Sequence, residues 1–440
     1  MPARVRYAIV GTGGRHEMYR DALLGEYADG GELAALCDSN LGRARLGAAR
    51  AAALCGVAPP VFPADDFDRM IAVTRPDTVI VTSMDRTHDH YTCRAMELGC
   101  DVISEKPMAT DAEKCRRILD TQRRTGRSLR VTFNYRYSPP RAQVKDLLLS
   151  GVIGEVLSAD FHWMLDIRHG ADYFRRWHRR KENSGGLLVH KATHHFDLMN
   201  WWLGTVPEQV FAGGARRFYL PETALQYGLD NRAERCHGCP EAGRCPFHLD
   251  LAANGSLRAL YLDQESHDGY HRDRCVFSAD MDIEDSMALV VDYRNGARMS
   301  YSLNAFMPWE GYHVVFNGTK GRLEHKCEET VCINADGSVP GALKAEGTWL
   351  RVYPHFAPAY EAPVWEAEGG HGGGDELLLR DLFRPEAGPD RYGRRADHRG
   401  GAWSILTGIA ANLSISQGRR VGVGELAPDL EPPDYPACPE

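Results

Sequence analysis

Tyr7-Ala8-Ile9-Val10-Gly11-Thr12-Gly13-Gly14-Arg15-His16 is the stretch whose reading decides the fold. A short apolar run enters a glycine turn, and a helical pattern through Met18, Ala22 and Leu23-Leu24 follows. Strand, glycine turn and helix in that order fit a dinucleotide fingerprint, because glycines let backbone N–H groups and a helix N-terminus approach a pyrophosphate. His16 stands where the third glycine of G-x-G-x-x-G belongs. Gly11, Gly13, Gly14, Arg15 and His16 are the first cofactor-binding candidates. The next strand, Leu33 to Cys37, ends in Asp38, where a carboxylate accepts hydrogen bonds from an adenosine ribose. That carboxylate repels a 2′-phosphate, so NAD is expected rather than NADP, although Arg43 partly offsets the preference.

Working outward, Asp77 to Thr82 reads as a buried-type strand, and Ser83 to His88 as a polar loop leading into a helix from Tyr91 to Leu98 that Gly99 closes. Asp101-Val102-Ile103-Ser104 is another strand, followed at once by Glu105-Lys106-Pro107. A lysine at the C-terminal end of such a strand points into the crevice where open α/β sheets bind ligands. Pro107 stops the strand and constrains the peptide after the lysine, with a cis bond open to it. A helix from Asp111 to Arg124 and a strand from Leu129 to Phe133 ending in Asn134 complete the pattern. Alternating strands and helices over residues 1–135 make a doubly wound parallel sheet. Thr82, His88, Glu105, Lys106 and Asn134 join the cofactor-side candidates; His88 suits either a place by the nicotinamide or a helix cap.

At 440 residues the chain is too long for one ordinary core, so a second domain over 136–425 is expected, with an insertion at about 220–280 and a tail at 426–440. The net charge of −8 argues against a nucleic-acid partner. The first residues lead straight into a strand, and no apolar run is long enough to span a bilayer, so a cytoplasmic protein with reduced thiols and no membrane partner is expected.

The second half opens with a helix from Arg141 to Leu149 and a strand from Gly154 to Trp163. Arg168 to Lys181 is strongly basic and holds Trp177 and His178. Such a run is usually a solvated face; interleaved with rings, it also suits a pocket that stacks on a sugar and neutralises an anionic substituent. Gly185 to Trp202 reads as one helix carrying His190, His194 and Asp197 on one face, and Lys191 and His195 on the next. Histidines at i and i+4 also suit a metal, but no H-E-x-x-H is present. Cys236-x2-Cys239-x5-Cys245, with Cys275 further on, has the donors for tetrahedral structural zinc, and His237 or His248 is a possible substitute ligand. Period-2 strands recur at Met287–Tyr293, Ala297–Leu303 and Tyr312–Phe316. Late in the chain, His371 sits among glycines before Asp375, an expected N-cap for a helix from Glu376 to Phe383. A last helix runs from Ala402 to Ser416, and the Pro-rich tail from Ala427 reads as an arm or a disordered end.

The fingerprint, Asp38, Glu105-Lys106-Pro107 and Asn134-Tyr135-Arg136-Tyr137 together resemble the glucose–fructose oxidoreductase/inositol dehydrogenase (Gfo/Idh/MocA) family. That resemblance implies a Rossmann domain followed by an α/β domain whose large, open, mainly antiparallel sheet serves as a homodimer or homotetramer interface. It implies NAD-dependent hydride transfer at a secondary hydroxyl carbon of a sugar or glycoside. His194 of D-x-x-x-H-x-x-D would be the acid–base and Asp197 its companion; His190 replaces the first Asp. Lys106 would polarise the substrate oxygen. Arg136, Trp177, His178, Lys191, His195 and His371 are then the substrate-side candidates. Two competitors share the fingerprint: a glycoside hydrolase that oxidises carbon 3 only transiently and recycles its NAD, possible on an anionic, for example sulfonated, glycoside; and a non-catalytic NAD-binding sensor.

Overall fold

The computed structural model describes residues 4–330, 347–384 and 389–438; the outermost residues of the first domain and of the tail lie outside that range. Six parallel strands form the first sheet: β1 (Val5–Val10), β2 (Gly31–Asp38), β3 (Val61–Pro63), β4 (Thr78–Val81), β5 (Asp101–Ser104) and β6 (Leu129–Val131). Their order is β3-β2-β1-β4-β5-β6, so the chain reverses direction across the sheet between β1 and β4. That reversal opens a crevice beyond the strand ends, where doubly wound sheets bind ligands. Helix α1 (His16–Leu24) leaves the glycine turn, and α2 (Leu41–Cys55) starts where the Asn40 side chain accepts from the Arg43 N–H. Asp111, one of two cap candidates with Thr110, caps the helix Ala112–Thr125 by accepting from the Lys114 N–H.

The second sheet has nine strands: β7 (Val156–Asp166), β8 (Pro207–Ala215), β9 (Ser286–Tyr293), β10 (Arg298–Met307), β11 (Glu310–Gly318), β12 (Gly321–Thr330), β13 (Trp349–Pro354), β14 (Tyr360–Glu361) and β15 (Val421–Gly422). Pairing is antiparallel throughout except between β7 and β10, with the order β14-β13-β12-β11-β7-β10-β9-β8-β15. Period-2 burial along β7 and β10 puts Phe161, Trp163, Tyr301 and Leu303 on the covered face and His162, Ser300 and Ser302 on the other. The α/β architecture is the one expected from the sequence.

One expectation of local structure fails. Gly185 to Trp202 is not a single helix: Leu187–His190 and Thr193–Leu203 are separate segments, with a turn at Lys191 and Ala192. The long helix His398–Gln417 lies across both the second sheet and this broken segment. It comes close enough at Gly408 that a Cβ there would sit 2.1 Å from the Leu188 carbonyl oxygen. The tail is a docked arm: Trp403 Nε1 donates to the Glu431 carbonyl at 3.0 Å and Lys145 Nζ to that of Pro436 at 3.0 Å.

Candidate active site

The crevice of the first sheet opens into a cleft of about 490 Å³ that the two domains line together. At its outer end, Gly11 has φ 93°, and a Cβ there would lie 2.4 Å from the Ser83 backbone, so only glycine lets β1 turn this closely past β4. The Thr82 hydroxyl locks the same turn by donating to the Gly11 carbonyl at 2.6 Å. Asp38 accepts from the Thr12 N–H at 2.5 Å, the Thr12 hydroxyl at 2.8 Å and the Asn40 N–H at 2.7 Å. Its carboxylate is thus fixed at the lip of the cleft beside Gly13, Gly14 and Arg15. Arg43, expected to weaken the preference against a 2′-phosphate, is engaged elsewhere, pairing with Asp268 at 2.5 Å while standing 3.7 Å from Asp38. His16 is a correction. Its ring points into the protein, with Nδ1 2.6 Å from the Gly13 carbonyl and Nε2 against the bare Cα of Gly47 in α2. The first turn of α1 faces α2, so this side chain props the glycine turn from below.

At the inner end, β5 delivers Glu105 and Lys106. The Glu105 carboxylate accepts from Arg15 Nε and from the Tyr19 hydroxyl, both at 2.6 Å. Burial acts to raise its pKa, but the Arg15 charge and these two hydrogen bonds overcome it and hold the group below the ordinary range. The Lys106–Pro107 peptide is cis. Lys106 Nζ donates to the His190 carbonyl at 3.4 Å, and burial lowers its pKa to about 8 against the opposing pull of Asp85 and Glu105. His88 ties two loops together, its ring nitrogens lying 2.7 Å from the Pro107 carbonyl and 3.1 Å from that of Ser83, and its edge still lines the cleft.

Because the helix breaks at Lys191, three side chains from one segment, those of His190, Lys191 and His194, reach the same cleft as Lys106. His194 stacks on Tyr135 at 4.4 Å, and its Nδ1 is buried without a partner, which leaves Nε2 as the nitrogen with access to the cleft. Burial and then the charges of Lys106 and Lys191 hold its pKa well below that of an ordinary histidine, so it is a free base at neutral pH. His190 shares a 2.5 Å hydrogen bond with Asp85. Burial is the largest influence on both groups, lowering the pKa of His190 and raising that of Asp85. Lys191 Nζ lies 3.4 Å from Glu310, which is also 2.8 Å from His169 Nδ1; burial raises the Glu310 pKa, but these two neighbours outweigh it and bring it down to about 2. Trp177 and His178 line the cleft face to face, 3.5 Å apart. His371, with its Nδ1 2.7 Å from Asp375, closes the mouth, and Asp375 also accepts from Asn134 Nδ2 at 2.7 Å. Asp375 thus sits just behind the cleft lining, past the left-handed turn His371–Gly373, and bridges His371, Asn134 and Arg15 instead of acting as the expected N-cap.

Three candidates besides His16 stand outside the cleft. Asp197 forms a bidentate pair with Arg136, at 2.8 Å to Nε and 2.5 Å to Nη2, both side chains fully buried. It makes no hydrogen bond to His194, and Arg136 is sandwiched between Phe133 and Tyr435. Both residues join the first domain's crossover to the second domain's helix. His195, one residue on from His194, turns toward the sheet, where it stacks on Trp163 at 4.1 Å and meets the Tyr301 hydroxyl at 2.7 Å. Asp85, His169, Glu310 and Tyr261 line or brace the cleft and went unremarked as site residues. Only Asp85 had a signal, as an acid in the loop beyond a strand's C-terminal end.

Among the described residues, Asp85, His178 and His190 are the set of three ligand-type side chains whose donor atoms come within 4.8 Å of one another. Lys106 and Arg176 place positive charge against them, which favours an anion there over a metal ion. The four cysteines lie elsewhere, lining one small cavity in the insertion with Arg175 and His248. No helix among the described residues is long and apolar enough to cross a membrane.

A family model described as "Oxidoreductase family, NAD-binding Rossmann fold" matches residues 5–133, and one described as "Oxidoreductase family, C-terminal alpha/beta domain" matches residues 145–423. The chain is 39% identical over 374 residues to the Bacillus subtilis (strain 168) protein YteT, named as an oxidoreductase, covering 83% of this chain and 86% of that one. It is 31% identical over 173 residues to the D-glucoside 3-dehydrogenase of Escherichia coli (strain K12), covering 39% of this chain and 47% of that one. It is 28% identical over 198 residues to the glycosyl hydrolase family 109 protein 1 of Akkermansia muciniphila, covering 42% and 40%.

Proposed function

The chain belongs to the Gfo/Idh/MocA family of NAD-binding oxidoreductases, and from that premise we propose that it transfers hydride between NAD and a secondary hydroxyl carbon of a sugar or glycoside. The observation that carries this reading is the single cleft in which the glycine turn and Asp38 occupy one end and Lys106, His190, Lys191 and His194 the other. The Gly13–Arg15 turn and Asp38 would hold NAD, which would supply the hydride acceptor when bound. His194, an uncharged imidazole, takes the hydroxyl proton at Nε2 as the carbon loses hydride. The Lys106 ammonium donates to the same oxygen and stabilises the charge that grows on it. Trp177 offers a face for a sugar ring, and Arg176 and Lys191 suit an anionic substituent. NAD is favoured over NADP because the Asp38 carboxylate is fixed and Arg43 is paired to Asp268.

A second reading is favoured by the Asp85–His190 pair, a further proton-holding group in the same cleft. Oxidation at carbon 3 acidifies the carbon 2 proton; a base removes it, the bond from carbon 1 to the aglycone oxygen breaks, and water adds. Hydride then returns to carbon 3, so the net change is hydrolysis. The similarity to a family 109 glycosyl hydrolase supports this path, and the similarity to a glucoside 3-dehydrogenase supports the simpler one.

Aryl glycosides, neutral and anionic, incubated with the protein and NAD decide between them. Stoichiometric NADH with intact glycoside is the expected result of the first reading. Aglycone release without NADH accumulation selects the second, and neither signal across a broad screen removes both.

A further inference from the structure

The cysteine-bearing insertion is chemically separate from the cleft but touches it. Its two ends are joined at Cys236 and Cys275: the Cys236 N–H donates to the Asp273 carbonyl and the Cys275 N–H to that of Glu234, both at 2.8 Å. Cys236, Cys239, Cys245 and Cys275 face one cavity. The Arg175 guanidinium lines the same cavity, 1% exposed. Its Nη1 donates to Cys236 Sγ at 3.5 Å, and its Nη2 is buried without a partner. A buried cation beside sulfur, with no carboxylate in hydrogen-bonding contact, calls for negative charge on the thiols. Four thiolates around a divalent ion supply that charge, and the Ala233 N–H donating to Cys239 Sγ at 3.4 Å is the kind of support such ligands receive.

The other end of the insertion lies on the dinucleotide turn. The Tyr261 hydroxyl accepts from the Gly14 N–H at 3.2 Å, an amide of the kind a pyrophosphate takes. The Gln264 carbonyl accepts from Asn40 Nδ2 at 3.0 Å, and Asp268 pairs with Arg43. Between Cys245 and Cys275 regular structure is limited to short helical turns, the longest being Gly255–Leu260. A segment of that kind needs a staple to hold its tip in place.

We propose that Cys236, Cys239, Cys245 and Cys275 bind one zinc ion, and that the insertion so fastened is a clamp that keeps Tyr261 and Asp268 over the dinucleotide turn and slows entry of the nucleotide, whose pyrophosphate has to displace the Tyr261 hydroxyl from the Gly14 amide. The clamp half rests on the NAD reading of the cleft; the metal half does not. Binding draws the sulfurs, no three of which lie within 4.8 Å of one another, to about 2.3 Å from a common centre.

The test uses full-length protein purified without affinity metals. Elemental analysis is expected to give about one zinc per chain, and cobalt exchange to give the intense thiolate-to-metal absorption of a tetrahedral site. Cys239→Ser and Cys275→Ser are expected to lose the metal. Tyr261→Phe combined with Asp268→Asn is expected to keep the zinc yet bind NADH about tenfold faster in stopped-flow mixing. Should the cysteine variants fail to fold, the cobalt spectrum and the Tyr261/Asp268 variant still carry the test. Four freely reactive thiols with no bound metal overturn the zinc site. An unchanged rate of NADH association with the zinc-loaded Tyr261/Asp268 variant overturns the clamp. Wild-type protein that holds zinc but binds no NADH instead counts against the cofactor reading.

Discussion

Lys106 carries an ammonium that burial has brought down to about 8, while His194 beside it is held as a free base. If the charged lysine stabilises the substrate oxygen, kcat/KM is expected to hold up to about pH 8 and fall above it, since the required form is lost as pH rises through the lysine pKa. No decline is expected between pH 7 and 6, because the His194 pKa lies well below the ordinary histidine value. A profile with an acidic limb near 6.5 would give the base role to another group. Lys106→Met and His194→Ala are each expected to lower kcat by about 10²–10⁴-fold, with NADH affinity of the His194 variant near wild type by fluorescence titration. The Arg136–Asp197 pair has a different signature. Asp197→Asn leaves a buried guanidinium without its counter-charge, so a stability loss of about 3–5 kcal/mol in urea is expected, with kcat per folded molecule kept. A selective loss of kcat would return Asp197 to the chemistry.

At the scale of elements, the turn at Lys191–Ala192 matters more than helix propensity. An unbroken helix would set His190, His194 and Asp197 on one face and turn Lys191 aside. With the break, Lys191 joins His190 and His194 in the cleft, while Asp197, on the same unbroken segment as His194, is drawn to the domain junction by Arg136. The helix His398–Gln417 holds the broken segment in place through Gly408, whose Cα nearly touches the Leu188 carbonyl. Gly408→Ala is therefore expected to cost about 1–3 kcal/mol and to lower activity by displacing His190, measured as a fall in both the thermal midpoint and kcat. Wild-type values for both would show that the contact yields freely. How legible these elements were follows from where their instructions lie. The parallel strands and the glycine turn are encoded within a few residues and are legible there. The helix break is not, because the segment packed against it, His398–Gln417, lies about two hundred residues further along the chain.

Across the whole molecule, the arm beyond Leu426 closes the junction between the domains. Lys145, fully buried, donates to the Pro436 carbonyl, and the Tyr435 ring lies over Arg136. Truncation after Glu431 strips both groups of these contacts, and a loss of about 1–3 kcal/mol, read as a lower midpoint in denaturant, is expected. An unchanged midpoint would mean the arm only rests on the surface. By itself the sequence determined the Rossmann half, the strand carrying Lys106 and the type of donor in the insertion, because apolar period, glycine geometry and cysteine spacing act over short distances. Only the tertiary structure decided which of the neighbouring polar residues serve the cleft. His194 and His195 are adjacent in the chain, and His16 follows a cofactor turn, yet each ring's role is set by what packs against its face. Those neighbours come from distant strands and helices, and no local pattern encodes them.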